Sequence, residues 1–365
     1  MALEVINIDQ FVSGMYSVPV LDVRSPGEYR HAHIPAAVSF PLFTDDERAE
    51  IGTRYKQISR EDAIKKGLEF LGPRMKFMVE DAERIMEQFV QSEKVKLQKP
   101  SFLIHCWRGG MRSAGVGWLL DLYGYQVLML EGGYKSFRNW VLSSFQITYN
   151  FKIIGGHTGS GKTEVIRLLK ERRHQIIDLE GLASHKGSAF GNIGMPSQPT
   201  QEMFENKLAV ALYLASKGSD CIWIEDESQR IGDINIPGPL WDQISKTRVY
   251  FLEVPFEERL NHILKDYGHL DLEKLVNASM RIRKRLGGKD TKLVLGYLAD
   301  QNIKEAFRIL LSYYDRFYQK SLEMKDILDK DIIRVTCSRV SSEENALKIL
   351  KEDEILNHLK MHIKE

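Results

Sequence analysis

An apolar run, Phe151-Lys152-Ile153-Ile154, leads directly into Gly155-Gly156-His157-Thr158-Gly159-Ser160-Gly161-Lys162-Thr163, and Glu164 to Arg172 then reads as a helix. The segment from Gly156 to Thr163 fits G-x-x-x-x-G-K-[ST] in the context that pattern requires, a strand before and a helix after. Gly156, Gly159 and Gly161, with Ser160 between them, let backbone N–H groups wrap a phosphate chain. Lys162 reaches the outer phosphate and Thr163 is placed to hold Mg²⁺. Further on, Ile222-Trp223-Ile224-Glu225-Asp226-Glu227 offers an acidic partner at a strand end, Asp226 or Glu225; Asp226 is taken with Thr163 as the pair for Mg²⁺. The loop does not say which ligand it holds, because ATP, another nucleotide and a non-nucleotide diphosphate present the same oxygens. No adenine or guanine reader is apparent, so nucleotide hydrolysis does not follow.

A second chemical centre lies upstream, in His105-Cys106-Trp107-Arg108-Gly109-Gly110-Met111-Arg112-Ser113. Ser101 to Cys106 reads as a strand, and the residues from Met111 onward as a helix start. A thiol at that junction faces backbone N–H groups and the positive end of a helix dipole. Arg108 and Arg112 add positive charge, and each effect lowers the thiol pKa. Such a cradle stabilises a phosphate, or the terminal anion of a persulfide or perselenide. Cys221 and Cys337 lack this setting and read as structural cysteines.

Around both centres the pattern alternates. Val18–Val23, Ser101–Cys106 and Tyr125–Leu130 are strand-like, with a long charged helical stretch between the first two, where Ala82, Ile85, Met86 and Phe89 fall at helical spacing. Phe151–Ile154, Asp220–Glu225 and Arg248–Val254 repeat the theme, and beyond about Leu270 the pattern turns helical, with Ala306, Ile309, Leu310 and Tyr313 on one face. Alternation of this kind predicts α/β domains built on parallel sheets, here residues 1–145 and 146–365, the second with a helical C-terminal part. A chain of 365 residues has room for both.

Composition excludes several classes. With 28% charged residues and 43% hydrophobic ones the chain reads as globular, and no apolar run approaches a membrane span. The start lacks a signal-peptide pattern, and three cysteines provide neither a disulfide framework nor metal-ligand spacing. A cytoplasmic, reducing location is expected, where a free thiol can do chemistry. Net charge of +1 makes no case for nucleic acid, so any RNA footprint must be local. Arg281, Arg283, Lys284 and Arg285, with Lys289 beyond Gly287-Gly288, form one such cluster, suited to an RNA backbone or a diphosphate or simply to solvent. Tyr297, Tyr313, Tyr314 and Tyr318 are of the type that stacks bases, but their helical spacing favours core packing.

His-Cys, five residues, then Arg-Ser is shared by cysteine-dependent phosphatases and rhodaneses. Asp22-Val23-Arg24-Ser25-Pro26-Gly27-Glu28-Tyr29, then His31-Ala32-His33-Ile34-Pro35-Ala36-Ala37, resembles the N-terminal rhodanese signature, with Ala36 where glycine is common. Leu130-Glu131-Gly132-Gly133-Tyr134 resembles the segment after the active-site helix of the same family. Fused to the phosphate loop, and carrying the extension Gly52-Thr53-Arg54-Tyr55-Lys56-Gln57, the whole chain resembles the tRNA 2-selenouridine synthase family. The resemblance implies conversion of wobble 2-thiouridine (U34) in tRNAs of the Lys, Glu and Gln type to 2-selenouridine. It implies selenophosphate as selenium donor, delivered by a selenophosphate-supplying enzyme, and geranyl diphosphate as co-substrate for an S-geranyl intermediate. No tightly bound cofactor is expected, Mg²⁺ aside. Cys106 would carry the selenium and Lys162 would hold the departing diphosphate. The other reading is a rhodanese-type sulfurtransferase with a nucleotide-regulated phosphate loop.

Overall fold

Short runs of apolar residues without polar alternation must bury both faces, and parallel sheets covered by helices achieve this. The computed structural model describes residues 3–93, 99–218, 221–268, 270–327 and 331–362. They fall into two compact units: residues up to Ser144 with Glu205–Val210, and Phe145–Phe204 with the residues from Ala211 onward.

In the first unit the strands are β1 (Glu4–Ile6), β2 (Val20–Asp22), β3 (Ala37–Ser39), β4 (Ser101–His105) and β5 (Gln126–Leu130). They lie in the order β1-β5-β4-β2-β3, all parallel. Every residue of central β4 is buried, and its register pairs Asp22 with His105, so β2 and β4 end level. The helices are α1 (Ile8–Gly14), α2 (Pro26–His31), α3 (Asp45–Gln57), α4 (Arg60–Leu71), α5 (Met75–Glu93), α6 (Met111–Tyr123) and α7 (Gly133–Ser144). The charged stretch thus resolves into α3, α4 and α5. Helix α3 starts at a capping box, Thr44 with Glu47, and buries no side chain; α5 turns Met78, Ala82 and Met86 to the core.

The second unit has β6 (Phe151–Gly156), β7 (Ile176–Ile177), β8 (Ile222–Glu225), β11 (Val249–Glu253) and β12 (Ile332–Thr336) in a parallel sheet ordered β12-β11-β6-β8-β7. A small antiparallel hairpin, β9 (Arg230–Ile231) and β10 (Ile234–Asn235), stands apart from it. Asp220, included in the expected strand, lies outside the described residues. Helices α8 (Lys162–Glu171), α9 (Leu179–Ala183) and α11 (Gly238–Lys246) accompany the sheet, and α10 (Gln201–Gly218) is shared, its Glu205–Val210 belonging to the first unit. Then come α12 (Phe256–Tyr267), α13 (Leu272–Arg281), α14 (Arg283–Leu286), α15 (Gly288–Ala299), α16 (Ile303–Ile327) and α17 (Ser342–His362). The C-terminal part is helical, as expected, and β12 within it adds the edge strand of the sheet. Helices α12 to α16 enclose a core of their own around Leu275, Val294, Phe307 and Leu310. In each sheet the chain reverses direction beside the central strand, and the crevice at that strand's C-terminal end is where such sheets bind ligands.

Candidate active sites

Cys106 follows the last residue of β4 and precedes α6 by four loop residues. Its thiol accepts hydrogen bonds from the N–H of Gly110 and the hydroxyl of Ser113, both at 3.3 Å. Burial pushes the thiol pKa up. The Ser113 hydroxyl and the N–H groups of Gly110, Ser113 and Arg108 outweigh that and leave it below its ordinary value. Arg108 therefore acts through its backbone, and its side chain is exposed. Arg112 differs from expectation: its guanidinium donates to Glu28 at 2.9 Å, and thus ties α6 to α2. The largest contributions to the lowering of the thiol come from N–H and O–H donors.

The upstream and downstream signature segments brace this loop. Asp22 and Arg24 form a fully buried, bidentate ion pair (Nε to Oδ1 2.9 Å), and Arg24 also donates to the Ala32 carbonyl and lies 3.7 Å over the Tyr134 ring. His105 is wholly buried beside Asp22, and burial pushes its pKa down, so it stands as a neutral packing group. Behind the loop, Tyr134 N–H donates to the Cys106 carbonyl and Lys135 N–H to that of Trp107. Gly133 has φ of +59°, and a Cβ there would sit 2.4 Å from both the Cys106 carbonyl and the Gly109 nitrogen. No larger residue fits.

The phosphate loop connects β6 to α8. Gly159, at φ +78°, presses against Ile263 and the Arg259 carbonyl of α12, which a Cβ would meet at 2.7 and 3.0 Å. Lys162 Nζ donates to the Gly156 carbonyl at 2.9 Å. Arg259, 4% exposed, donates to the Thr158 carbonyl (3.1 Å) and bidentately to Asp315 of α16 (2.8 and 2.7 Å). The loop's backbone is thus held from behind by two helices. In front of it opens a cavity of about 460 Å³, whose lining includes Lys162, Thr163, Lys186, Glu227, Trp241, His262, Tyr267 and Tyr318. The carboxylate of Glu164, 3.5 Å away, raises the His262 pKa and so favours its cationic form beside Lys162 and Lys186.

The acidic partner of Thr163 is Glu225, not Asp226. Thr163 Oγ1 donates to Glu225 Oε2 (3.3 Å) and to Glu180 Oε2 (3.2 Å). Adjacent residues at a strand end point to opposite sides, and Asp226 accepts a hydrogen bond from the Tyr318 hydroxyl instead. Glu180, Glu225 and Glu227 bring carboxylate oxygens within 4.8 Å of one another. Burial raises the pKa of all three, and repulsion from neighbouring carboxylates adds to it: Asp178 at Glu180, Glu180 at Glu225, and Glu180 at Glu227, whose pKa is pushed up to about 8. Glu225 Oε1 is buried without a hydrogen-bond partner. Hard oxygen donors beside a threonine hydroxyl, one of them orphaned, fit a divalent cation such as Mg²⁺.

Other expectations resolve singly. Cys337 is buried, its pKa raised by burial, and Cys221 is half-buried. Tyr313 packs in the helical core with Tyr297 against it, whereas Tyr314 and Tyr318 line the phosphate cavity. Arg283, Lys284, Arg285 and Lys289 are exposed on α14 and α15, and Arg281 donates to Asn192 at 3.3 Å. None of these lines the phosphate cavity, but Arg283 and Lys284 border an open surface groove with Lys292.

A family model for the tRNA 2-selenouridine synthase AAA domain matches residues 149–330, and one for the rhodanese-like domain matches residues 9–139. The tRNA 2-selenouridine synthase of Hydrogenovibrio crunogenus is 34% identical over 342 residues, 85% of this chain and 90% of that protein. The chain belongs to the tRNA 2-selenouridine synthase family. The namesake from Sulfurovum sp. is 33% identical over 84% of this chain and 89% of its own, and that from Bdellovibrio bacteriovorus 36% over 73% and 69%. Sequence reasoning missed Glu180, Glu227, Lys186 and His262 as members of the phosphate cavity. Glu227 closes the acidic run after β8 and Lys186 stands beside a glycine in His185-Lys186-Gly187-Ser188, but Glu180 and His262 carry no such signal.

Proposed function

We propose that this chain is a tRNA 2-selenouridine synthase that works in two steps, one at each loop. The observation that carries the reading is one chain of this family holding both an activated thiol and a phosphate cradle beside apolar walls. Its substrate would be tRNA of the Lys, Glu and Gln type in the cytoplasm, with selenophosphate supplied by a separate enzyme. Among the described residues no helix is long and apolar enough to cross a membrane.

In the first step the sulfur of 2-thiouridine attacks C1 of geranyl diphosphate. The C1–O bond breaks, diphosphate leaves with the electron pair, and the uracil N3 proton passes to solvent. Loop N–H groups, Lys162, Lys186 and His262 stabilise the charge gathering on the departing diphosphate. Mg²⁺ held by Thr163, Glu180, Glu225 and Glu227 would supply further neutralisation there. Alkylation matters because it turns a poor leaving group on C2 into a good one.

In the second step the Cys106 thiolate adds to C2 and expels geranylthiolate, which leaves a Cys106–S–C2 bond. Selenium from selenophosphate then adds to C2, Cys106 departs as thiolate, water takes the phosphoryl group to phosphate, and N3 regains its proton. Selenium in selenophosphate is already at the selenide level, so no electrons change hands. A perselenide on Cys106, the family expectation, would need a two-electron oxidant. Incubation of thiolated tRNA with geranyl diphosphate alone should give S-geranyl-2-thiouridine, and added selenophosphate should convert it to 2-selenouridine. Nucleoside mass spectrometry reads both products, and 2-selenouridine formed without any geranyl donor would refute the order.

A further inference from the structure

The first unit runs to Ser144 and then takes in Glu205–Val210, a segment of α10. Asn206 in that segment is wholly buried, and both ends of its carboxamide are engaged. Nδ2 donates to the Tyr134 hydroxyl (2.8 Å) and to the His33 carbonyl (2.9 Å), while Oδ1 accepts from Arg138, whose other terminal nitrogen donates to Glu205. A buried amide with its partners in place fixes them, because letting either go strands a polar group away from water. Those partners belong to the two segments that brace the thiol loop. Tyr134, itself wholly buried, donates its N–H to the Cys106 carbonyl (2.8 Å), and its ring lies 5.6 Å from that of Trp107. His33 follows Ala32, whose carbonyl receives Arg24 (2.8 Å). Gly133 lies so close to the Cys106 carbonyl and the Gly109 nitrogen that no Cβ fits, so a shift of Tyr134 passes to the loop without slack. At the other end of the loop the Gly110 N–H and the Ser113 hydroxyl hold the sulfur at 3.3 Å, and such bonds weaken steeply once misaligned.

We propose that Asn206 is a positioning residue for Cys106: it joins the Tyr134 hydroxyl to the His33 carbonyl and thereby keeps the thiol loop where Gly110 and Ser113 reach the sulfur. It acts through Tyr134 and His33, not on the reacting atoms. The helix that carries it comes after the phosphate loop in the sequence, so the setting of the thiol is complete only with a segment from that part of the chain. The consequence for selenation rests on the nucleophilic role given to Cys106 above; the positioning itself does not.

Iodoacetamide alkylation of the full chain, followed at the Cys106 peptide by mass spectrometry over a range of pH, reads the thiol by itself. Asn206→Leu should slow alkylation at neutral pH about threefold or more, move the midpoint of the profile upward by about half a pH unit or more, and leave the rate in alkali unchanged. Pyrophosphate affinity and formation of S-geranyl-2-thiouridine should stay as in the wild type. Conversion of tRNA that arrives already geranylated should fall by a similar factor, in kcat and not in KM. Tyr134→Phe should act alike, and the double variant should be no slower than either single one, because both remove the same tie. A merely structural asparagine would lower the melting temperature and leave the pH profile where it was; that result, or effects of the two substitutions that multiply, would overturn the proposal. Should Asn206→Leu not fold, the profile of Tyr134→Phe decides. A displaced profile with selenation at the wild-type rate would instead count against the nucleophilic role of Cys106 and leave the positioning standing.

Discussion

Burial alone would push the Cys106 thiol pKa up; hydrogen-bond donors more than offset that, and the Ser113 hydroxyl is the side chain among those that contribute most. Hydrogen bonds to charged groups contribute about 1.5–3 kcal/mol, so Ser113→Ala should slow alkylation of Cys106 by iodoacetamide about tenfold at neutral pH, with the two rates converging in alkali. The cysteine, its glycines and the strand-to-helix setting were legible in the sequence because they are adjacent in it. That Arg112 would spend its charge on Glu28 was not, because the partner lies 84 residues away. Glu227 poses the opposite problem. Its folded pKa of about 8 lies above the ordinary carboxyl value, so its protonated form stabilises the fold fully below about pH 4.5, and that stabilisation is lost as pH rises through 8. Glu227→Gln should therefore raise the melting temperature at pH 8.5 and leave it nearly unchanged at pH 4. A divalent cation should raise the wild-type value at pH 8.5 and do less for the variant.

The helices of the second unit act on the loop as elements. Arg259 on α12 and Asp315 on α16 form a pair with little exposure on the arginine side, and the same guanidinium holds the Thr158 carbonyl. Removing one member of such a pair costs about 3–5 kcal/mol when both are fully buried; with Asp315 23% exposed, Arg259→Met should cost about 3 kcal/mol in chemical unfolding and weaken pyrophosphate binding. Helices α14 and α15 expose Arg283, Lys284, Arg285 and Lys289, a charge cluster of the kind that suits an RNA backbone. Reversing Arg283 and Lys284 to Glu should weaken tRNA binding and flatten its salt dependence by about one slope unit for each phosphate no longer neutralised, with pyrophosphate affinity unchanged. Long amphipathic elements such as α5 and α16 could be read from periodicity, because one face of each meets a core. Strand β12 could not. It is a half-exposed edge strand whose Ile332-Ile333-Arg334-Val335-Thr336 follows a charged run, and only pairing with β11 reveals it. Three-residue β1 and β3 carry too few side chains to show a period.

At the scale of the whole molecule, each unit has its own parallel sheet, its own core and its own loop at the C-terminal end of a central strand. The fused order of the two motifs was legible, and with it the family. The acidic cluster was not, because Glu180 and Glu225 come from different elements and are brought together only by folding. Two loops with separate chemistry imply separable defects. Cys106→Ser should stop at S-geranyl-2-thiouridine, and Lys162→Ala should leave 2-thiouridine untouched yet still selenate tRNA that arrives already geranylated. The most direct test is nucleoside mass spectrometry on tRNA given the two variants singly and mixed, with both co-substrates present. The account predicts no 2-selenouridine from either variant alone and its recovery from the mixture, as tRNA released by one is taken up by the other. Appreciable 2-selenouridine from the Cys106→Ser variant by itself would contradict it.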